Sequence, residues 1–389
     1  MGSPMTRLRA AKAAAFLATV AFACLLLAAP AFARPDGVTP QAKALRDVAT
    51  QTITDMAGRT VTIPVKIHKV YGTSPVASIM VYTLNPKQLM AWNYAQTWLE
   101  KKYLVRSARY LPNMGGWQAG GTPNLEAVIA AKPDFILDMT TTTPATDASN
   151  ISRVNKLQAQ LKIPFIIIDG RFEEMASSYI WLGKLLGDQK IAATEAKYVN
   201  NVLSYVDKHA AKIPAAKQKT VYYAEGTAGL NTEPSTSQHA RILNEIHATN
   251  VAASVPLGSG AGMTPVSMEQ VLAWNPSWVL VGISLTGNSP TGANAYTAIK
   301  AGENGWSAIA AVQNKHVYSI PLLPFAWFDR PPGVNQILGM IWASQLIYPE
   351  YYHYDLVKET KRFFKLFYHV DVSTAQLRKD VLATSIAWK

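Results

Sequence analysis

The stretch NLEAVIAAKPDFIL (residues 124–137) recurs without a gap as SMEQVLAWNPSWVL (residues 267–280). Five pairs of positions are identical: Glu126/Glu269, Val128/Val271, Ala130/Ala273, Pro133/Pro276 and Leu137/Leu280. Each copy is typical of a short helix, a proline that ends it and a buried strand. A repeat of this kind predicts two similar α/β lobes, each with one glutamate at a matching place. Two like lobes form a cleft between them, and such clefts bind small molecules.

Signals for strands and helices alternate along the rest of the chain. Apart from the repeat, the predicted elements are a hairpin over 52–64, strands over 69–71, 89–92, 165–169, 220–224 and 316–320, and helices over 76–84, 96–102, 151–161, 173–186, 190–212, 238–247, 334–347, 355–367 and 374–382. This alternation predicts mostly parallel sheets with helices on their faces. The expected fold class is therefore α/β, with two Rossmann-like lobes and a ligand cleft between them.

The helix predicted from residue 190 lies midway between the two copies of the repeat, and its apolar positions form one stripe. We interpret it as a linker about 30 Å long that joins the lobes. The chain then divides into a first lobe (34–189), a linker helix (190–214) and a second lobe (215–389). Because a helix is a stiff connection, we expect only small lobe movements on ligand binding.

The first 33 residues have the features of a secretory signal peptide. Three basic residues (Arg7, Arg9 and Lys12) precede an apolar run over 13–29. Ala31-Phe32-Ala33 then forms a cleavage site of the small-x-small type before Arg34. A membrane anchor is the alternative interpretation, but a proline follows the apolar run directly, and no later run approaches the length of a membrane span. We expect an exported, soluble protein of the periplasm, cleaved after Ala33.

The composition excludes several classes of protein. The chain has 389 residues, of which 49% are hydrophobic and 16% charged, as in globular proteins with sizeable cores. The only cysteine, Cys24, lies within the predicted signal, in a faint likeness of a lipoprotein box, so the mature chain is expected to have no disulfide and no thiolate metal site. The net charge is +12, or +9 without the three basic residues of the signal. Aromatics do not interleave with basic runs, so a nucleic acid partner is not expected, whereas an anionic ligand or surface would suit the charge.

Glu126 and Glu269 fall in the first turn of the two repeated helices. Thr122-Pro123 predicts the N-cap and first residue of one helix, and the Ser-x-x-Gln pattern from Ser267 has the form of a capping box in the other. Stabilisation of each helix through its dipole is one explanation for the two glutamates. Alternatively, two exposed carboxylates on matching faces can bind a pair of arginines on a partner, since such contacts are bidentate and orienting.

Three segments together resemble the helical-backbone periplasmic binding proteins, which are the receptors for ferric siderophores, haem and cobalamin that feed ABC importers. They are the hairpin TDMAGRTV (54–61), the unit over 124–134 and SMEQVLA (267–273). The resemblance covers nearly all of the mature chain and implies ligand binding between the lobes. It also implies that Glu126 and Glu269 match the two glutamates with which such receptors dock on arginine pockets of the transmembrane subunits.

Loops beyond the carboxyl ends of the strands are the candidates for ligand contact. In the first lobe the candidates are Tyr71, Thr73, Ser74 and Trp117. Related receptors carry a ligand-stacking tryptophan at a position similar to Trp117, although a tryptophan packed in a surface loop would have the same pattern. In the second lobe the candidates are Tyr223, Glu225, His239, Arg241, Trp327, Phe328 and Arg330.

The stretch FAWFDR (325–330) places three aromatics beside an arginine and would suit a flat or aromatic chelate. A network around Asp329 and Arg330 that anchors the loop is the alternative. His239 and His247 are too far apart on one helix to share a metal ion, so no metal site made of side chains is predicted. Any metal is expected to arrive as a chelate.

The sequence lacks the common catalytic motifs, so we expect neither an enzyme nor a cofactor. Two other classes compete with this interpretation. One is a hydrolase whose catalytic residues are scattered along the chain. The other is an adhesion or structural protein, which would not need paired glutamates. The glycine-rich stretch over 258–262 is expected to be a flexible loop rather than a phosphate site. The function expected is that of a monomeric receptor that delivers a ferric siderophore or similar iron chelate to a membrane permease. A corrinoid or haem comes second and an oxyanion such as molybdate third, with nickel chelates also in the range of the family.

Overall fold

The computed structural model of the chain describes residues 49–117, 121–257, 262–282 and 295–387. The predicted signal peptide, Cys24 and most of the glycine-rich stretch over 258–262 therefore lie outside the described residues. Within the described ranges, no helix is both long enough and apolar enough to cross a membrane.

The chain enters the fold through the predicted hairpin, made of β1 (Thr50–Thr54) and β2 (Thr60–Pro64) in antiparallel register. The turn between them is held by Asp55, whose carboxylate accepts the backbone N–H of Arg59 at 2.9 Å. The same carboxylate accepts the N–H of Ile167 at 3.1 Å, which attaches the hairpin to the sheet of the first lobe. One buried aspartate thus fixes both the turn and its place in the fold.

The first lobe is built on a parallel sheet of three strands, β3 (Val70–Gly72), β4 (Phe135–Thr140) and β5 (Phe165–Asp169), in the order β3-β4-β5. All residues of the three strands are buried, as expected for a parallel sheet with helices on both faces. The helices of this lobe are α1 (Pro75–Leu84), α2 (Trp98–Lys102), α3 (Arg106–Arg109), α4 (Leu125–Ala131), α5 (Ala148–Leu161) and α6 (Met175–Leu186).

A single helix of 22 residues, α7 (Gln189–Ala210), follows the first lobe directly. Gly187 ends α6 in the left-handed conformation at φ 84°, which lets the chain turn sharply into α7. The buried face of α7 carries Ala192, Ala196, Val199 and Val202 together with one carboxyl, Glu195. The long helix between two α/β lobes is the connection that the sequence predicts.

The second lobe repeats the architecture of the first. Its parallel sheet has the order β11-β10-β6-β8, and β7 pairs with β9 in a separate antiparallel ribbon. The strands are β6 (Thr220–Ala224), β7 (Asn231–Thr232), β8 (Thr249–Asn250), β9 (Thr264–Pro265), β10 (Trp278–Val281) and β11 (Val317–Ser319). The helices are α8 (Arg241–Glu245), α9 (Met268–Trp274), α10 (Tyr296–Ala301), α11 (Ala310–Gln313), α12 (Asn335–Ile347), α13 (Leu356–Phe367) and α14 (Thr374–Gln376).

Two sequence predictions of secondary structure are wrong in part. The strand predicted over 89–92 is absent, and only isolated bridges join Leu89 to Val70 and Trp92 to Asn113. This apolar run serves the core instead, since Trp92 is buried and donates its indole N–H to the carbonyl of Ala108 at 2.8 Å. The helix predicted over 238–247 is reduced to α8 after one tight turn, because Ser237 caps the turn and His247 adopts φ 54°.

The residues after α12 contact both lobes. Helix α13 packs against α12 and against α1 of the first lobe. Hydrogen bonds extend this contact: the Tyr82 hydroxyl donates to the carbonyl of Tyr368 at 2.7 Å, and Tyr103 donates to the Asp380 carboxylate at 2.6 Å. The largest apolar core accordingly includes residues of both lobes. The two lobes are therefore joined by the C-terminal segment in addition to α7.

Candidate functional site

A cavity of about 460 Å³ is lined by residues of both lobes and lies beyond the carboxyl ends of β4 and β5. This is where ligands bind in open α/β folds. The first lobe contributes the residues after β4 and β5, and the second lobe contributes the segment that leads into α8. The lining residues are Thr141, Thr142, Gly170, Arg171, Phe172, Glu173, Ser235, Thr236, Ser237, Gln238, Arg241, Asn244, Glu245, Pro332 and Gln336.

Arg171 is positioned by the last residue of β5. Its Nε and Nη2 donate to the two oxygens of Asp169 at 3.0 and 2.9 Å, which is the bidentate geometry of a guanidinium on a carboxylate. Burial alone would raise the pKa of Asp169, but hydrogen bonds from Arg171 and from the Ala145 N–H lower it. The ionised Asp169 therefore holds Arg171 at the mouth of the cleft.

One carboxylate, Glu173, lies between two guanidinium groups that come from different lobes. Its Oε1 is 3.1 Å from Nη1 of Arg171, and its Oε2 is 3.1 Å from Nη1 of Arg241. Arg241 belongs to α8 of the second lobe and also donates its Nε to Glu245 at 3.0 Å. Its guanidinium carbon lies 5.1 Å from the centre of the Phe172 ring. Arg241 thus crosses the cleft and rests on the first lobe.

Hydroxyl groups line the cavity around this pair of arginines. Thr141 and Thr142 follow β4, and the run Ser235 to Ser237 leads into α8. Hydroxyls and guanidinium groups both donate hydrogen bonds to anionic oxygens. A site of this composition suits a ligand rich in negatively charged oxygen.

The candidate residues of the first lobe have structural partners. Tyr71 is buried and donates its hydroxyl to the carbonyl of Gly115 at 2.7 Å, and burial raises its pKa to about 12. The Thr73 hydroxyl donates to Asp138 at 2.9 Å, and Ser74 is the N-cap of α1. Trp117 is half-buried and packs on the ring of Tyr71 at 6.2 Å, which is the arrangement of the packed alternative. None of these four residues is among those that line the 460 Å³ cavity.

The second lobe also contains a buried charged cluster centred on Arg330, none of whose members lines the cavity. Its Nε donates to Glu225 at 2.9 Å and its Nη2 to Glu233 at 2.6 Å, while Asp329 lies 3.3 Å away. Burial and the charge of Asp329 raise the pKa of Glu225 to about 8, and burial raises that of Tyr223 well above its usual range. Burial by itself would lower the pKa of Arg330, but Asp329 and Glu225 raise it. This is the anchoring network named above as the alternative for Arg330.

The aromatic platform expected from FAWFDR is not present in this structure. Trp327 and Phe328 are fully buried. Trp327 donates its indole N–H to the carbonyl of Leu323 at 3.0 Å, and a side chain at Gly339 would collide with its backbone. Phe328 packs on the ring of Tyr223 at 5.0 Å. Both side chains fill the core because the segment folds inward after β11, so the interpretation of an exposed stacking surface is wrong for this conformation.

Of the second-lobe candidates, Arg241 lines the cavity, and His239 does not line it but follows the lining residue Gln238 in the chain. The Nδ1 of His239 is 3.3 Å from Asp329, so this histidine connects the segment before α8 to the charged cluster. Among the described residues, no group of three or more histidines, aspartates and glutamates is arranged to hold a metal ion.

Sequence reasoning did not identify Arg171, Glu173 and Glu233. A signal for the first two was present, since both directly follow the predicted strand that ends at Asp169. Glu233 had none, because its partner Arg330 is distant in sequence and no local pattern marks a pair of that kind.

Glu126 and Glu269 are exposed in the first turns of α4 and α9. The N-cap of α4 is Asn124, whose side chain accepts the N–H of Ala127, and not Thr122 as predicted. The short polar side chain of Asn124 reaches the helix N-terminus directly and therefore takes this position. Ser267 caps α9 as expected by accepting the N–H of Gln270 at 3.2 Å. Hydrogen bonds from its own backbone and from Ser267 lower the pKa of Glu269.

A second cavity, of about 610 Å³, lies away from the strand ends, between α7 and α13. Its lining includes four basic residues, Lys190, Lys197, Arg362 and Lys365. Because it is formed by the outer faces of two helices, it is not the cleft that the two lobes share.

Comparison with known proteins agrees with this architecture. The family described as periplasmic binding protein matches residues 80–322. The chain is 26% identical over 352 residues to the molybdate-binding protein MolA of Haemophilus influenzae, which covers 82% of this chain and 92% of that protein. The structure of an ABC transporter solute binding protein from Sulfurospirillum deleyianum is similar, with a TM-score of 0.74, 31% identity, and coverage of 84% of this chain and 98% of the other.

The structure of MolA bound to molybdate shares the fold with a TM-score of 0.64 at 21% identity, over 83% of this chain and 99% of the other. The family match extends over more than half of the chain, and the two-lobed fold with its interlobe cleft agrees with it. The chain therefore belongs to the periplasmic binding protein family, as one of the helical-backbone substrate receptors of ABC importers.

Proposed function

We propose that this receptor captures a small oxyanion, with molybdate as the first candidate, and delivers it to its ABC importer. The observation that carries the proposal is the position of Glu173 between Arg171 and Arg241, at 3.1 Å from each. The Glu173 carboxylate lies between the guanidinium groups of Arg171 and Arg241, which come from different lobes. The oxygens of an anionic ligand would bind at the same place. The similarity to the molybdate-binding protein MolA supports the same ligand class.

The composition of the cleft favours this ligand over the iron chelate that the sequence suggested first. The aromatic residues proposed for a flat chelate are buried, whereas hydroxyls and arginines line the cavity. Charge-assisted hydrogen bonds from arginine are strong and directional, and anions with several equivalent oxygens can accept from both lobes at once.

The test is calorimetric titration of the purified mature protein with molybdate, tungstate and sulfate. Arg241→Gln should weaken oxyanion binding roughly tenfold or more, because it removes the guanidinium of one lobe. Arg362→Gln is a matched control, since Arg362 also pairs with a glutamate on its own helix and lies over an aromatic ring, but outside the cleft. Equal affinity of the two variants would contradict the assignment of the site.

A ferric siderophore is the second candidate, because a cavity of about 460 Å³ is much larger than one oxyanion. The titration therefore includes ferric catecholate and hydroxamate chelates, cobalamin, haemin and a nickel–histidine complex. Saturation by one of these without any heat from the oxyanions would replace the first candidate. Recovery of the ligand unchanged after prolonged incubation is expected of a receptor, and turnover would indicate an enzyme.

We further propose that Glu126 and Glu269 are the docking points for the transmembrane subunits. Both are exposed, at equivalent positions of α4 and α9. Glu126→Arg together with Glu269→Arg should abolish uptake and leave ligand affinity unchanged, because neither residue lines the cleft. Loss of affinity in the purified double variant would contradict this role.

Export and oligomeric state complete the proposal. We propose cleavage after Ala33 and a monomeric mature receptor in the periplasm. Sequencing the N-terminus of the secreted protein tests the first, with Arg34 as the expected first residue. Light scattering of the purified protein tests the second.

A further inference from the structure

We propose that each lobe docks on the importer through a carboxylate together with an aliphatic side chain one helical turn later: Glu126 with Ile129, and Glu269 with Leu272. The partner is the pair of transmembrane subunits, each offering a guanidinium beside an apolar surface. The proposal rests on the docking role of the two glutamates proposed above and adds the apolar half of the contact.

The two helices present these side chains in the same way. Helices α4 and α9 have seven residues each, and each begins after a side-chain N-cap. Each ends in a residue with positive φ, Lys132 at 51° and Asn275 at 40°, directly before the proline. Because the two helices start and stop at equivalent residues, equivalent positions point in the same direction relative to each lobe.

The exposed faces of the two helices are alike, although folding does not require it. Positions i, i+3 and i+4 of a helix share one face. On α4 this face is Glu126, Ile129 and Ala130, and on α9 it is Glu269, Leu272 and Ala273, all exposed. Ile129 is 46% exposed and Leu272 is 39% exposed. On the other face, Val128 and Val271 are fully buried. Core packing therefore explains why these two valines are apolar, but it does not explain why Ile129 and Leu272 are.

Single exposed aliphatic residues are common on protein surfaces and need no explanation. Here Ile129 and Leu272 occupy the same position of a repeated helix, and each lies one turn after the glutamate of its own helix. A partner that makes the same contact with each lobe would account for both aliphatic residues. Two equivalent subunits side by side would do so, each meeting one lobe.

The physical reason for the pairing is the weakness of an exposed ion pair. A carboxylate and a guanidinium on an open surface gain little, because water screens them. An apolar contact next to the ion pair excludes water, and the attraction between the two charges becomes stronger as a result. In protein interfaces, the contacts around a hot spot have the same effect: they contribute little energy themselves but keep water out. Ile129 and Leu272 would supply this contact from the receptor side.

The experiment measures the affinity of the receptor for its cognate importer reconstituted in nanodiscs, by biolayer interferometry in the presence of molybdate and again without it. The test variant is Ile129→Gln with Leu272→Gln, since glutamine keeps the length and helix propensity of the side chain. Ile180→Gln is the matched control, because Ile180 is a helical isoleucine of similar exposure, 48%, outside the repeat. The affinity of the double variant Glu126→Arg with Glu269→Arg for the importer tests the docking role of the two glutamates separately.

We expect the glutamine double variant to bind the importer roughly tenfold more weakly than the wild type, and the Ile180 variant to bind equally well. Unchanged affinity of the glutamine variant, with binding abolished in the arginine variant, would overturn the apolar contact and leave the glutamates as docking points. Unchanged affinity in both double variants would overturn the docking role itself. The melting temperatures of all variants are measured as well. A loss of affinity is attributed to docking only in variants that melt at the same temperature as the wild type.

Discussion

At the scale of single residues, Glu173 is the carboxylate that the proposed oxyanion would have to replace. It is 46% exposed and contacts one guanidinium from each lobe. Exposed ion pairs are worth only about 0–1 kcal/mol, so an incoming oxyanion can displace this carboxylate at small cost. If the ligand is an oxyanion, as proposed, we expect its binding to be an exchange of one anion for another between Arg171 and Arg241.

Removing the competing carboxylate should therefore tighten binding. In Glu173→Gln, the two arginines lose the carboxylate that they share, while Arg171 keeps Asp169 and Arg241 keeps Glu245. The affinity for molybdate should then rise by a factor of about two to ten. Glu174→Gln is the control: it removes the same charge from the next residue, whose carboxylate accepts a hydrogen bond from Ser177 instead. Weaker molybdate binding in Glu173→Gln, measured by calorimetry, would show that Glu173 is part of the ligand site and not its competitor.

We expect Trp327 to affect stability and not ligand affinity, because its side chain is fully buried. Trp327→Ala should lower the free energy of unfolding by about 3–5 kcal/mol, the usual cost of truncating a large aromatic in a core. Urea denaturation measures this loss. The protein that remains folded should bind its ligand as the wild type does, and a selective loss of affinity without destabilisation would restore the stacking interpretation.

At the scale of elements, the linker helix α7 carries an unusual buried group. Glu195 is fully buried, and neither of its carboxyl oxygens has a hydrogen-bond partner among the described residues. Burial, and to a lesser degree the charge of Asp188, raise its pKa well above the usual range. The folded protein therefore holds a proton that the unfolded chain releases once the pH rises above the ordinary glutamate pKa of 4.5.

It follows that Glu195 makes the protein less stable as the pH rises above about 4.5, since the unfolded state then binds fewer protons than the folded state. Glu195→Leu, which keeps the size of the side chain, should remove this loss. Its advantage over the wild type should grow by about 1–3 kcal/mol between pH 5 and pH 8. Asn200→Leu, at an exposed site of the same helix, should show no such dependence in thermal denaturation. A constant difference across the pH range would contradict the raised pKa.

At the scale of the whole molecule, two connections restrain the lobes. Helix α7 joins them, and the segment after α12 packs on both, through α13 against α1 and through Asp380 on Lys102 and Tyr103. Packed cores change little in shape, so wide opening would have to break the contact of α13 with the first lobe.

We therefore expect the radius of gyration to change by less than about 1 Å when molybdate binds. Small-angle X-ray scattering of the mature protein with and without the ligand measures this. Asp380→Ala loosens the attachment of the C-terminal segment to α2 and should permit a larger change. A decrease of several ångströms in the wild type would show that the lobes hinge freely.

The elements of the fold were predictable because their signals are local. Strand β5 and strand β6 have the predicted bounds, and the repeated helices end before their prolines as expected. Apolar periodicity, caps and prolines act over a few residues, so the sequence displays them directly. The strand expected over 89–92 failed because an apolar run can be buried without joining a sheet ladder.

The site was predictable only in part. Arg241 was identified, and it lines the cleft. Its partner Glu173 lies in the other lobe, and no local pattern links two residues so far apart. The same applies to Arg330, because its ion-pair partners Glu225 and Glu233 are distant from it in sequence.

By itself, the sequence determined the α/β class, the two-lobed plan and the matched glutamates, because a repeated pattern of periodicity and caps specifies repeated local structure. Only the tertiary structure decided which polar groups meet in the cleft and which aromatics are buried. Burial and ion pairing depend on contacts between segments that are distant in sequence. The proposal of an oxyanion in place of a flat chelate rests on those contacts, and no local pattern in the sequence indicates them.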